Sequence, residues 1–74
     1  MKIEVQLYSY LRDGRGKTVE LDVHEHATTA DVIKMLNIGD NVVANMMIND
    51  VDAGRESALK EGDCLSLFPL LTGG

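Results

Sequence analysis

The segment PLLTGG at residues 69–74 holds the chemistry that stands out most in this sequence. Gly73 and Gly74 have no side chains, so their backbone can pass through a narrow channel in another protein and bend inside it. A terminal carboxylate has a pKa of about 3.3–3.7 and is ionised at neutral pH. It is then a poor electrophile, and sulfur or nitrogen can attack it only after activation, most simply by adenylation. We expect Gly74 to be the reactive residue; a disordered end is the alternative.

Pro69 predicts where the folded domain ends. Proline has no N–H and cannot continue a central ladder, so we expect the hydrogen-bonded strand to end near Phe68. The sequence then divides into a domain at residues 1–69 and a flexible tail at residues 70–74. Measured from Pro69, the tail reaches at most ~20 Å, enough to enter another protein's active site. Partner-binding and tail residues in this region are Pro69, Leu70, Leu71, Thr72 and Gly73.

Two alternating stretches and one helical stretch precede the middle of the chain. KIEVQLYSYL and KTVELDV carry apolar residues at every second position, which is typical of half-buried strands. Asp13–Gly14 between them predicts a turn in which both residues adopt positive φ. TTADVIKMLN has helical spacing, with Thr28 or Thr29 as the N-cap and Gly39 just past the end. The main helix is predicted around residues 31–37, with inward side chains Val32, Ile33, Met35 and Leu36.

Two further strands follow the helix. NVVANMMIND predicts a strand with Ala44, Met46 and Ile48 inward, and a turn at Gly62–Asp63 leads to a last strand with Leu65 and Leu67 inward. This order predicts an α+β fold, in which a mixed sheet of four to five strands carries one main helix across one face. The first and last strands are expected to lie adjacent and parallel at its centre.

A second candidate site lies on the sheet face opposite the helix. Alternation places Ser66 and Phe68 on that face, and Met47 shares it by the same count. An aromatic residue and a methionine beside a functional tail favour a protein-docking patch formed by Phe68 and Met47. The alternative is that single exposed apolar residues have no function.

Composition excludes several classes of function. The formal net charge is −5, with 12 acidic and 7 basic residues and no basic face, so we expect no nucleic-acid partner. A lone cysteine, Cys64, cannot form an intrachain disulfide, and we interpret it as structural in a cytoplasmic protein. No apolar run is long enough to cross a membrane. His24 and His26 have no third ligand in sequence, so we expect no metal site.

The element order, the length and the ending LKEGDCLSLFPLLTGG resemble the β-grasp sulfur carriers. These relatives of ubiquitin include the small subunit of molybdopterin synthase and the thiamin-biosynthesis sulfur carrier. The specific signals are Leu-Lys-x-Gly-Asp before the last strand, Phe-Pro at its end, and Gly73–Gly74. The resemblance implies a ubiquitin-like β-grasp fold in which an E1-like enzyme adenylates Gly74. The product is a thiocarboxylate that donates sulfur.

The resemblance also implies a set of partners. The chain would be a protein cosubstrate rather than an enzyme, with no bound cofactor, and the activating enzyme would use the ATP. Its partners would be the E1-like adenylating enzyme, a sulfurtransferase or cysteine desulfurase, and a sulfur-accepting enzyme such as a large synthase subunit. We expect a monomer when the protein is free.

The recipient pathway stays open at this point. Phe68–Pro69 favours molybdopterin, the short helix favours thiamin, and tRNA thiolation is a further destination. Thr72 departs from the small residues common before the glycine pair. Two other functions also remain: a ubiquitin-like modifier joined through Gly74 to lysines, and a non-catalytic β-grasp interaction module.

Overall fold

The alternating residues at the two ends of the sequence form the two central strands of a mixed sheet. The computed structural model describes residues 1–71. The strands are β1 (Lys2–Leu7), β2 (Thr18–Asp22), β3 (Val43–Ile48), β4 (Val51–Ala53) and β5 (Cys64–Pro69). In the described range they form one sheet in the order β2–β1–β5–β3–β4, with β1 and β5 parallel and the other pairs antiparallel. The predicted fold and the parallel central pair are confirmed.

The helix α1 (Thr29–Met35) shares one hydrophobic core with the sheet. Val32 and Ile33 are buried in the same cluster as Val5, Leu65 and Leu67, as predicted. The expectation that Met35 is buried is wrong, since it is 50% exposed. At 3.6 residues per turn, Met35 points ~110° away from the mean direction of the buried side chains of α1, so it faces solvent. No helix within residues 1–71 is long and apolar enough to cross a membrane.

Capping defines both ends of α1. Thr28 is the N-cap, and its side chain and that of Asp31 form a reciprocal capping box. At the other end Asn37 adopts φ +56°, and the N–H groups of Asn37 and Ile38 donate to the carbonyls of Lys34 and Ile33. This is a Schellman motif. Asn37, and not the predicted helix-end residue Gly39, therefore takes the left-handed position; the φ of Gly39 is −63°.

The capping box gives α1 a dependence on pH. The pKa of Asp31 is lowered, first by the hydrogen bond that its carboxylate accepts from the Thr28 backbone N–H. A carboxyl with a lowered folded-state pKa adds stability above its unfolded pKa, and this stability is lost as pH falls through the folded pKa. We expect Asp31→Asn to lower the free energy of unfolding at pH 7, with the difference from wild type shrinking once pH drops below 3.8. Urea denaturation across pH measures this. Asp52→Asn, at an exposed carboxylate on β4, is the control; equal curves for both variants would contradict the prediction.

A buried hydroxyl lies in the first turn of α1. Thr29 is fully buried, and its Oγ1 has no hydrogen-bond partner among residues 1–71. Valine has the same shape without the desolvated hydroxyl, so we expect Thr29→Val to raise the free energy of unfolding by about 1 kcal/mol. Thr28→Val, which removes the N-cap, is the control and should lower it by about 0.5–2 kcal/mol. Denaturant unfolding of both variants measures the two changes in the free energy of unfolding. A loss of stability in Thr29→Val would show that the Thr29 hydroxyl makes a hydrogen bond in the folded protein.

The connection from β1 to β2 is more elaborate than the predicted hairpin turn. A 3-10 helix, Ser9–Arg12, follows β1, and Leu11 within it is only 2% exposed. Asp13 (φ −59°, ψ 119°) and Gly14 (φ +74°) then form a type II turn closed by the Arg15 N–H on the Arg12 carbonyl. The expectation of positive φ at Asp13 is therefore wrong. The predicted strand through residue 11 stops at Leu7 because Ser9 adopts φ +54°.

A β-bulge shifts the register of β3. Val43 pairs with Pro69 but Asn45 pairs with Phe68, so Ala44 is an extra residue on β3. Ala44 is exposed, which makes its predicted inward position wrong. Met46 is buried and Ile48 is partly buried, as expected.

The Leu-Lys-x-Gly-Asp motif has a structural role at the start of β5. Leu59 is buried, and Gly62 adopts φ +83° in the turn. The carboxylate of Asp63 accepts hydrogen bonds from the Lys60 N–H at 2.8 Å and from Asn49 Nδ2 at 2.9 Å. Asn49 Oδ1 in turn accepts from the N–H of Cys64, so the motif fixes where β5 begins.

Candidate functional site

β5 carries the chain from the centre of the sheet to the tail. Pro69 is buried and pairs with Val43, and the N–H of Leu70 donates to the carbonyl of Val42 at 2.8 Å. The strand ends at Pro69, one residue beyond the predicted end near Phe68, and the Leu70 hydrogen bond extends the pairing by one more residue. Proline can lie in this strand because its missing donor is not required there, and the next N–H completes the pairing.

The tail begins among exposed apolar residues. Leu70 is 47% exposed and Leu71 is 72% exposed. The Tyr10 hydroxyl donates a hydrogen bond to the Leu70 carbonyl at 2.7 Å. The predicted roles of Thr72, Gly73 and Gly74 concern residues outside the described range and stay predictions, as does the division at residue 70.

An aromatic pair lies on the sheet face opposite α1. Phe68 is half-buried, and its ring stacks on that of Tyr8 with centroids 4.6 Å apart and an interplanar angle of 13°. The Arg12 guanidinium carbon lies 5.5 Å from the Tyr8 centroid, within reach of a cation–π contact. We call Tyr8, Arg12, Met47 and Phe68 the aromatic face.

Two residues of the aromatic face, Met47 and Phe68, were predicted from the sequence. Met47 pairs with Ser66, the neighbour of Phe68 on the same side of β5, so both predicted residues share the face. Met47 and Phe68 are half-buried rather than fully exposed. Ser66, which lies between the neighbouring strands on this face, is only 6% exposed. Tyr8 and Arg12 were missed. Gln6 on β1 pairs with Ser66 and therefore lies on the same face of the sheet. Because every second residue of an extended chain points to the same side, this alternation could have predicted that Tyr8 lies there as well.

The histidines and the cysteine lie apart from the tail. His24 and His26 are exposed, and His24 Nε2 lies 3.7 Å from an oxygen of Asp31. Within residues 1–71 no three His, Cys, Asp or Glu side chains are grouped so as to hold a metal ion. Burial raises the pKa of the Cys64 thiol, and the charge of Glu4 raises it further. This thiol is therefore protonated at neutral pH and a weak nucleophile.

The fold and its neighbours define the class of protein. The mixed five-stranded sheet with α1, as described for residues 1–71, is a ubiquitin-like β-grasp fold. Small archaeal modifier protein 1 from Haloferax volcanii is similar to the chain at 25% identity and a TM-score of 0.78, over 95% of this chain and 98% of that one. The HVO 2177 protein of the same organism is 27% identical at a TM-score of 0.81, over 100% and 87%.

The family follows from a match over nearly the whole sequence. The ThiS family model matches residues 5–74, so the chain belongs to the ThiS family and the resemblance to the β-grasp sulfur carriers is confirmed. A search of curated proteins by sequence gives no match. A chain from the complex of subunits 1 and 2 of the molybdopterin-converting factor of Helicobacter pylori shares the fold, at 20% identity and a TM-score of 0.66 over 100% of both chains.

Proposed function

We propose that this protein is a sulfur carrier whose Gly74 carboxylate is converted to a thiocarboxylate. The observation that carries the proposal is the ThiS family match, which runs through Gly73 and Gly74. The central strand β5 supports it, because its pairing holds the chain up to Leu70, while Leu71 is exposed to solvent and open to contact by a partner.

The proposed chemistry follows from the inertness of a carboxylate. The Gly74 carboxylate attacks the α-phosphate of ATP on an E1-like enzyme, and pyrophosphate leaves. A persulfide sulfur, supplied by a sulfurtransferase or cysteine desulfurase, then displaces AMP and forms an acyl disulfide. A second thiol then attacks the donor cysteine's sulfur, forms a disulfide with it, and releases the thiocarboxylate. The carrier is the cosubstrate in these steps, and the activating enzyme, not the carrier, binds the ATP.

The aromatic face is the proposed docking surface for these enzymes. Tyr8, Met47 and Phe68 supply apolar and aromatic area, and Arg12 adds a cation above the Tyr8 ring. Interface hot spots are enriched in aromatic residues and arginine. The fold shared with the molybdopterin-converting factor supports a large synthase subunit as one sulfur acceptor, with thiamin biosynthesis and tRNA thiolation as the other destinations.

Protein modification is the second candidate function. The similarity to small archaeal modifier protein 1 favours it, since that protein is described as a modifier. Both functions begin with adenylation of the terminal carboxylate. They differ in the nucleophile that follows, which is sulfur for a carrier and a lysine amine for a modifier.

Intact mass spectrometry separates these functions. The full chain is incubated with the cognate E1-like enzyme, ATP, and a cysteine desulfurase with cysteine, in the presence of candidate acceptor proteins. A mass gain equal to exchange of oxygen for sulfur supports the carrier, and covalent conjugates support the modifier. An unchanged mass with no conjugates would indicate that the protein is a non-catalytic β-grasp interaction module and neither a carrier nor a modifier.

A further inference from the structure

The domain holds both backbone polar groups of Leu70. Its N–H donates to the Val42 carbonyl at 2.8 Å, and its carbonyl accepts a hydrogen bond from the Tyr10 hydroxyl at 2.7 Å. The Val42 contact continues the pairing of β3 with β5. The Tyr10 contact is different, because it comes from the 3-10 helix between β1 and β2, which the sheet itself does not require.

The Tyr10 hydrogen bond fixes the direction in which the chain leaves the domain. The Leu70 carbonyl and the Leu71 nitrogen belong to the same planar peptide group. Since the Leu70 N–H is also held, the two hydrogen bonds restrain the rotation between the successive peptide planes. Tyr10, together with the Val42 contact, therefore restrains the position of the Leu71 backbone relative to β5.

The segment that carries Tyr10 is anchored to the domain. Leu11 is buried beside it, and Arg12 Nε donates to the Leu7 carbonyl at 2.7 Å. Arg15 Nη1 donates to the Leu11 carbonyl at 3.1 Å, and its Nε donates to the Leu36 carbonyl at the end of α1 at 3.1 Å. Tyr10 thus extends from a braced 3-10 helix, although its own ring is 41% exposed.

We propose that Tyr10 is a positioning residue for the tail, a role that rests on the proposed function. By orienting the Leu70–Leu71 peptide, it directs Gly74 toward the adenylation site of the enzyme to which the aromatic face is docked. The four residues after Leu70 reach at most ~14 Å, so the angle at which they start decides where the carboxylate arrives. An error of about 1 Å at a reacting atom can cost a hundredfold in rate.

Hydrogen exchange of the Leu70 amide, which pairs with the Val42 carbonyl, tests whether the Tyr10 contact holds Leu70 against the domain. Tyr10→Phe keeps the ring and removes the hydroxyl that bonds the Leu70 carbonyl. Local opening at Leu70 then has one hydrogen bond fewer to break, so we expect the amide to exchange about threefold to tenfold faster. Tyr8→Phe is the matched control, because the Tyr8 hydroxyl donates to Gln6 Oε1 at 3.1 Å and not to Leu70; the exchange of Leu70 should be unchanged in it. An unchanged Leu70 exchange rate in Tyr10→Phe would overturn the proposal.

Steady-state adenylation by the cognate enzyme, followed as pyrophosphate release, tests the positioning role. We expect Tyr10→Phe to lower kcat about threefold to tenfold, while KM for the carrier stays within about twofold because the aromatic face is intact. A role in folding alone would leave kcat of the folded protein unchanged, and that result would overturn the proposal. Failure of the wild-type protein to be adenylated would instead overturn the proposed function and the positioning role with it, whatever the exchange rates show.

Discussion

Deletion of Gly74 is expected to abolish adenylation by the cognate activating enzyme and to leave the free energy of unfolding unchanged. The hydrophobic core described within residues 1–71 runs from Ile3 to Leu67, so we expect the fold to persist without Gly74. The carboxylate must nevertheless reach the α-phosphate of ATP from a docked domain. One residue fewer leaves it ~3.5 Å short, and a misplacement of about 1 Å can already cost a hundredfold in rate. ATP–pyrophosphate exchange measures the loss.

Two further variants test the same geometry from other directions. One residue appended after Gly74 moves the carboxylate too far and should also abolish exchange. Gly73→Val keeps the length but adds a branched side chain and restricts φ and ψ, so it should be nearly as damaging. Thermal unfolding of each variant is the control. Adenylation of the Gly74 deletion at the wild-type rate would refute the carrier proposal.

Phe68→Ala is expected to weaken binding to the activating enzyme about 30-fold, corresponding to about 2 kcal/mol. The substitution removes the ring that stacks on Tyr8, and with it much of the apolar area of the aromatic face. The fold should persist, since Leu65 and Leu67 on the other side of β5 fill the core and are fully buried. Titration calorimetry with the E1-like enzyme and ATP gives the affinity.

Val51→Ala is the matched control for this experiment. Val51 is an apolar residue that is 67% exposed on β4, and it pairs with Ile48, which packs against the core rather than on the aromatic face. Its removal should leave the affinity unchanged. If Phe68→Ala and Val51→Ala bind equally well, the aromatic face is not the docking surface. A large loss of thermal stability in Phe68→Ala would show that Phe68 stabilises the fold rather than serving as a docking residue.

Alternation and capping predicted the parts of the fold in which each residue follows its local preference. Leu65 and Leu67 are inward, Phe68 is on the opposite face, and Thr28 caps α1. These features depend on the two-residue period of a strand and on the unpaired N–H groups at a helix start, both of which act over a few residues.

Two of the errors arose where distant residues determine the conformation. The bulge at Ala44 depends on how β3 meets Pro69 on β5. The 3-10 helix Ser9–Arg12 is stabilised by burial of Leu11 and by hydrogen bonds from arginine side chains to backbone carbonyls. Because neither contact is visible in a local pattern, Tyr10 and its contact with Leu70 were not predicted from the sequence.

The position of β5 between β1 and β3 has a consequence for how the protein is made. This strand leaves the ribosome after the other four described strands, yet it alone joins the β1–β2 pair to the β3–β4 hairpin within residues 1–71. Glu4 must pair with Cys64, sixty residues later, and such distant pairings form slowly. An isolated hairpin is marginally stable in water. A nascent or truncated chain that lacks β5 therefore stays unfolded and has no assembled aromatic face to offer an activating enzyme.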